Sequence, residues 1–220
     1  MTEPRKAFSP PSGAIPPPID WAAEDARVAT EYREEARLRA RRELAKALPP
    51  RYASADTDLP ELAAWAAALA VKDMTNGPAK GPALLLLGGT GVGKTHAAIA
   101  ALRRYVAAGG DATPVMTTAP DLYADLRPKS GKTGDVSLER YTDAKLLMVD
   151  DLGAAKTSEW VEEVNYRLIN HRYNHELPTL FTSNVPPREL GAVLGERVTS
   201  RLTEMCRMVV LKGPDRRRAA

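Results

Sequence analysis

Cysteine is nearly absent. Cys206 stands alone in 220 residues, which excludes an intrachain disulfide and any zinc site built from several cysteines. Histidine is scarce too, limited to His96, His171 and His175. His171 and His175 have the i, i+4 spacing of a helical metal pair, but no acidic motif accompanies them, so solvated or edge-packed rings are expected. No uncharged apolar run approaches a membrane span, and the longest, around Leu84, is strand-sized. The first residues lack the charged, apolar and small segments of a signal peptide, so a cytoplasmic location without membrane contact is expected. Strong charge of one sign is also missing. A net charge of +3 and a pI near 9.0 permit nucleic-acid contact without requiring it.

What is present divides the chain. Its length suits one α/β core with an appendage. Residues 1–19 carry Pro10-Pro11 and Pro16-Pro17-Pro18 and little that could be buried, so a disordered tail is expected there. Residues 20–48 change character: alanine, arginine and glutamate dominate, and the pattern predicts one helix or two in succession, with Asp20 as N-cap. Glu35 is spaced to pair with Arg39, and Arg39 with Glu43. Trp21, Val28, Tyr32, Leu38, Leu44 and Leu48 form no single apolar stripe. The segment therefore reads either as a solvated arm or as a partner-binding module. Pro49-Pro50 ends it and opens a core over 49–212. Asp58-Leu59-Pro60-Glu61 reads as a capping box launching a helix that carries Leu62, Trp65 and Leu69, and Asn76-Gly77-Pro78 reads as a turn.

The core is organised around Gly88-Gly89-Thr90-Gly91-Val92-Gly93-Lys94-Thr95, between the apolar run Ala83–Leu87 and a helical segment over His96–Ala108. Strand, glycine loop and helix in this order form the context of a Walker A phosphate loop. Its backbone N–H groups and helix N-terminus attract phosphate, Lys94 is placed for the β- and γ-phosphates, and the Thr95 hydroxyl is placed for Mg²⁺. A glycine turn without ligand is the plain alternative, and the full spacing with both flanks disfavours it.

Further along, strands are expected near 112–118 and at Leu146–Asp150, a helix from Pro120, and a basic, glycine-containing loop over 127–137 with Lys129 and Lys132. Leu146-Leu147-Met148-Val149-Asp150-Asp151 has the Walker B pattern, with Asp150 placed for Mg²⁺ and Asp151 for the attacking water. A helix over Ser158–Glu176 leads to a strand ending in Thr182-Ser183-Asn184, whose amide emerges at the same sheet edge. Arg197 and Arg201 share a helix face, and either a surface salt bridge or a contact with a neighbouring subunit's phosphate would explain them. A last strand over Met208–Leu211 precedes a basic tail, residues 213–220, that reads as disordered or as a nucleotide or DNA contact.

Taken together, Gly-x-x-x-x-Gly-Lys-Thr at 88–95, the Asp150-Asp151 strand, Thr182-Ser183-Asn184 and Gly195-Glu196-Arg197-x-x-x-Arg201-Leu202 resemble the AAA+ ATPases of the DnaC helicase-loader and IstB transposition type. The resemblance runs from about Pro49 to Arg217. It implies an α/β P-loop fold, a five-stranded parallel sheet flanked by helices with no lid domain, plus the short helical arm. It also implies ATP and Mg²⁺ as cofactors, Asn184 as sensor 1, Arg201 as an arginine finger acting in trans, and Arg197 as a second interface arginine. Head-to-tail contacts of this kind build open spirals. Many relatives have Asp-Glu where this chain has Asp150-Asp151, and the shorter Asp151 implies slow hydrolysis, stimulated by a partner or DNA.

The leading expectation is a helicase loader that grips a hexameric replicative helicase through 20–48 and acts on single-stranded DNA. An IstB-like helper of transposition on duplex DNA is the alternative. A small-molecule kinase needs a lid and acceptor pocket that the stretch between Asp151 and Asn184 lacks, and a non-hydrolysing scaffold would not need Asp150, Asp151, Asn184 and Arg201 together.

Overall fold

The computed structural model describes residues 20–72, 74, 79–127 and 137–216. The Pro-rich stretch at 1–19, the Asn76-Gly77-Pro78 turn, most of the basic loop at 127–137 and residues 217–220 lie outside the described residues.

The alanine- and arginine-rich segment forms one helix, α1 (Trp21–Ala47), of 27 residues and therefore about 40 Å long. The Asp20 carboxylate caps it, accepting from the N–H groups of Ala22 (3.1 Å) and Ala23 (3.2 Å). Glu35 lies 3.6 Å from Arg39, whereas Glu43 pairs with Lys46 at 2.8 Å rather than with Arg39. The two halves of α1 differ. In the second half Ala40 and Leu44 are buried in the main core. In the first half Trp21, Val28 and Tyr32 are 68%, 51% and 54% exposed, within about 40° of one another around the axis. Between the halves, Arg33 reaches Asp111 at 2.9 Å, and the Asp111 carboxylate is fully buried.

After a 3₁₀ turn at Pro50–Tyr52 comes α2 (Pro60–Ala70). The expected capping box does not form. Leu59 occupies the N-cap position, so Asp58 lies one residue too early to reach the first-turn N–H groups, and its side chain stays exposed. Pro60 starts the helix without a cap hydrogen bond. The rest runs β1 (Ala83–Leu87), α3 (Lys94–Ala107), β2 (Val115–Thr118), α4 (Ala119–Leu126), α5 (Glu139–Thr142), β3 (Leu147–Asp150), α6 (Glu159–Asn174), β4 (Thr179–Ser183), α7 (Leu190–Leu194), α8 (Glu196–Met205) and β5 (Cys206–Val210). The last strand begins at Cys206 because α8 turns directly into it; the Cys206 N–H still bonds back to Leu202.

All five strands are parallel, in the order β2-β3-β4-β1-β5. Strand periodicity sorts their side chains cleanly. Leu84, Leu86, Met148 and Leu180 enter the core shared with α1, α2 and α3, while Leu85, Leu87, Val149 and Phe181 enter the opposite core against α4, α6 and α8. The helix after β1 therefore covers one face, and the helices after β3 and β4 cover the other. A crevice opens at the C-terminal ends of β1, β3 and β4, where crossovers diverge to the two faces.

Arg172, on α6, is wholly buried and pins the other end of the sheet. Its guanidinium donates to the carbonyls of Tyr141, Thr142, Ala144 and Pro178 and to the Thr179 hydroxyl, at 2.7–3.0 Å. Burial holds its pKa down at about 9.

Candidate nucleotide-binding site

β1 delivers the chain at full burial into the Gly88–Gly93 loop, and α3 begins at Lys94. Gly93 is the N-cap of α3 with φ 102°, a left-handed conformation that points the next N–H groups back into the loop. Lys94 is buried, and its ammonium donates to Gly88 O (3.0 Å), Gly89 O (2.9 Å) and the Asn184 side-chain oxygen (2.5 Å). Its charge is thus folded onto the loop that a phosphate would occupy.

At the end of β3 the Asp150 carboxylate accepts from Thr95 Oγ1 (2.9 and 3.1 Å to its two oxygens) and from Thr182 Oγ1 (2.5 Å). Burial pushes the Asp150 carboxyl above the usual carboxylate range and the neighbouring Asp151 charge adds to this, against the pull of the two hydroxyls and Lys94. Asp151 takes φ 55°, uncommon for a residue with a side chain, and its N–H is secured by Thr182 Oγ1 at 3.0 Å. That turn sends the two adjacent carboxylates in different directions. Asn184, just past β4, donates to Asp151 Oδ1 at 3.0 Å while accepting from Lys94. Lys94, Asn184 and Asp151 are therefore one hydrogen-bonded chain, and Thr95, Asp150 and Thr182 a second beside it.

Lys94, Thr95, Asp151 and Asn184 line a cleft of about 580 Å³, within the size range of small-ligand sites. Asp150, only 8% exposed, opens onto a neighbouring depression that shares Thr95 with the cleft. Arg51 and Tyr52, to which the sequence pattern assigns no role, also line the wall, as does Arg216 of the basic tail, expected to be either disordered or a nucleotide or DNA contact. Arg51 and Tyr52 come from the 3₁₀ turn after α1, the Arg51 guanidinium lying 5.4 Å from the Tyr52 ring centre. Arg216 arrives because the chain after β5 folds back across the phosphate loop, with Leu211 N–H on Leu87 O (2.7 Å) and Arg216 N–H on Gly91 O (3.0 Å). The Asp215 carboxylate packs so tightly over Gly91 that a Cβ there would lie 1.8 Å from it. Thr182 was also passed over; its signal was its place two residues before Asn184, on the strand next to β3.

Arg197 and Arg201 stand apart from the cleft on α8. Arg201 lies against α6, donating to Asn170 Oδ1 (2.7 Å), Arg197 O (3.0 Å) and the Tyr166 hydroxyl (3.5 Å). His171 and His175 stack at 4.1 Å, and His171 lies 3.1 Å from Asp143.

Residues 25–219 match the family model described as IstB-like ATP binding protein. The chain belongs to that family. Among relatives of this IstB-like chain, the replicative helicase loader DnaI of Bacillus subtilis is 33% identical over 117 residues, covering 52% of this chain and 37% of that protein. A putative ATP-binding protein of insertion sequence IS5376 from Geobacillus stearothermophilus is 32% identical over 117 residues, covering 52% and 45%. The chain thus spans less than half the length of these relatives. A solved structure of the DnaC helicase loader superposes with a TM-score of 0.60 at 25% identity, covering 74% of this chain and 100% of that one. The IstB-like chain is therefore an ATP-binding P-loop protein of the AAA+ type, and no helix among its described residues is long and apolar enough to cross a membrane.

Proposed function

We propose that this chain is an ATP-dependent helicase loader. It binds a hexameric replicative DNA helicase through α1, places it on single-stranded DNA, and switches assembly and release by binding and hydrolysing ATP. The observation that carries the reading is the convergence of Lys94, Asn184 and Asp151 with the Thr95–Asp150 pair at one end of the sheet. Similarity to proteins named as helicase loaders supports the choice of partner.

In this mechanism the phosphates take over the Lys94 ammonium from the loop carbonyls, and the loop N–H groups with the α3 N-terminus hold them. Releasing Lys94 also frees the Asn184 carbonyl, so Asn184 reports the phosphate to Asp151. Asp151, held by Asn184 and by the Thr182 anchor on its backbone, orients the attacking water and takes up its proton. The Thr95 hydroxyl and Asp150 carboxylate, 2.9 Å apart, are hard oxygen donors that fit Mg²⁺. Thr95 and Asp150 are the residues that would hold the ion. Bound there, Mg²⁺ would supply positive charge to offset that of the phosphates. Arg201 acts on the γ-phosphate of a neighbouring subunit in a head-to-tail spiral, with Arg197 beside it.

The partner surface is the exposed first half of α1. Deleting residues 1–48 would be a poor test, because it removes Ala40, Leu44 and the partner of Asp111. Trp21→Ala/Tyr32→Ala leaves the core intact. Light scattering of the full chain with the replicative helicase of its own host in ATP should give a complex that the double variant loses. Absence of a complex with the wild-type chain would remove the loader reading, and equal binding by both proteins would remove the assignment of the partner surface to α1. The family description and the insertion-sequence relative favour a second reading, an ATPase helper of transposition on duplex target DNA. ATP-dependent binding to duplex DNA in preference to single strands, without helicase binding, would select it.

A further inference from the structure

We propose that Tyr166, Asn170 and Tyr173 of α6 form a neutral cradle that positions the Arg201 guanidinium, charge intact, for an anion supplied by a second copy of this chain. The proposal rests on the reading of Arg201 as a residue that acts in trans.

The three cradle residues sit at i, i+4 and i+7 on α6, one above another on the face turned to α8. Asn170 accepts from Arg201 Nε at 2.7 Å, and the Tyr166 hydroxyl accepts from one terminal nitrogen. The Arg197 carbonyl, one turn back on α8, accepts from the other at 3.0 Å. The guanidinium carbon lies 5.0 Å from the Tyr166 ring centre and 5.9 Å from that of Tyr173, both in the range of cation–π attraction. Every one of these groups is uncharged. No carboxylate among the described residues lies within ion-pair distance of Arg201. Glu204, the nearest acid along α8, acts instead on the Tyr173 hydroxyl, whose pKa it raises.

An arginine serving only to tie α8 to α6 gains most from a carboxylate, which would also cancel its charge. Here the side chain is oriented at several points and its charge is left available. A guanidinium has five N–H groups. Nε has spent its only one, and each terminal nitrogen has spent one of two, so among the described residues one N–H remains on each. That pair is the fork that meets two oxygens of a phosphate. The surroundings favour docking on another copy. Exposed Glu159, Glu162, Glu163 and Glu196 line a groove beside Arg197, while exposed Arg51 and Arg216 stand on the rim of the nucleotide cleft. Acidic face and basic rim are complementary in a head-to-tail contact and repel in a head-to-head one.

Because the cradle must be neutral as well as well placed, Asn170→Asp separates positioning from structural support. Aspartate keeps the acceptor for Nε and strengthens the tie, but cancels the charge. Steady-state ATP hydrolysis by the full chain with oligo-dT present, fluorescent ADP binding and thermal melting are measured for wild type, Arg201→Ala, Asn170→Asp, Asn170→Ala and Tyr166→Ala. We expect Arg201→Ala to lose about a thousandfold in kcat. Asn170→Asp should approach that loss, and Asn170→Ala and Tyr166→Ala should lose about tenfold, all with wild-type ADP affinity. In the Arg201→Ala background, Tyr166→Ala should cost nothing further. Wild-type kcat in Asn170→Asp beside a slow Arg201→Ala overturns the cradle alone. Wild-type kcat in Arg201→Ala overturns the trans reading beneath it. Should Asn170→Asp fail to fold, Tyr166→Ala decides: an equal further loss in the Arg201→Ala background means a structural role and overturns the proposal.

Discussion

Thr182→Val keeps the shape of a fully buried side chain and deletes a hydroxyl that holds both halves of the acidic pair. Thr182 Oγ1 donates to Asp150 Oδ1 at 2.5 Å and accepts the Asp151 N–H at 3.0 Å. A hydrogen bond to a charged acceptor is worth about 1.5–3 kcal/mol, and a buried N–H left without a partner costs about 1–3 kcal/mol. The loss should come to roughly 3 kcal/mol, which for a domain of this size lowers Tm by about 6–12 °C. The functional effect should be more selective. Asp151 loses the backbone anchor that holds φ at 55°, so its carboxylate drifts from the position where Asn184 grips it. Phosphate binding through Lys94 and the glycine loop is untouched. The expected outcome is near-normal fluorescent ADP affinity with kcat reduced about a hundredfold, the effect of a misplacement near 1 Å. Thr182→Ser, which restores the hydroxyl, should recover most of both quantities. A Thr182→Val protein that melts within a degree of wild type and hydrolyses ATP normally would refute the assignment.

Three further outcomes follow from the geometry. Arg33→Ala leaves the Asp111 carboxylate buried with the Met74 N–H as its remaining direct partner among the described residues, so urea unfolding should show a loss of about 3 kcal/mol; Arg33→Lys should recover part of it. Gly91→Ala places a Cβ against the Asp215 carboxylate at φ 79°, which should displace residues 212–216 from the phosphate loop and speed amide hydrogen exchange at Arg216, whose N–H bonds to Gly91 O. Burial pushes the Cys206 thiol up to about 12. Its folded-state pKa is raised, so the associated stability is complete below the unfolded value near 8.5 and is lost as pH rises toward 12. Alkylation of the native chain should stay slow between pH 7 and 9 while the urea-unfolded chain reacts readily.

Much of this architecture is legible from local pattern. The Ala83–Leu87 run, the glycines and Thr95 specify a strand, a loop and a helix within 25 residues, and strand periodicity sorts Leu84 from Leu85 without further information. Asn184 is readable because a strand ending in polar residues must deliver them to the same edge as Asp150. What pattern does not carry is pairing across long separations. Arg33 and Asp111 are 78 residues apart, and nothing local distinguishes Arg33 from its arginine neighbours on α1. Arg172 looks like one more basic residue on a helix; only the fold reveals that five backbone and side-chain oxygens surround it. The return of Arg216 to the phosphate loop depends on where β5 leaves the sheet, and Asp58 misled because proline fixed the helix start one residue later than the capping pattern implied.

The strand order also sets a timetable for synthesis. β1 emerges well before both of its neighbours, β4 and β5, with Leu84 beside Leu180 and Ala83 beside Cys206. A ribosome-bound chain that already displays its phosphate loop has no sheet to support it, and five consecutive apolar residues wait unpaired until β4 and β5 have been made. Nucleotide capture is thereby tied to synthesis of β4 and β5. A nascent or prematurely terminated product offers chaperones a sticky β1 and cannot compete with finished molecules for ATP.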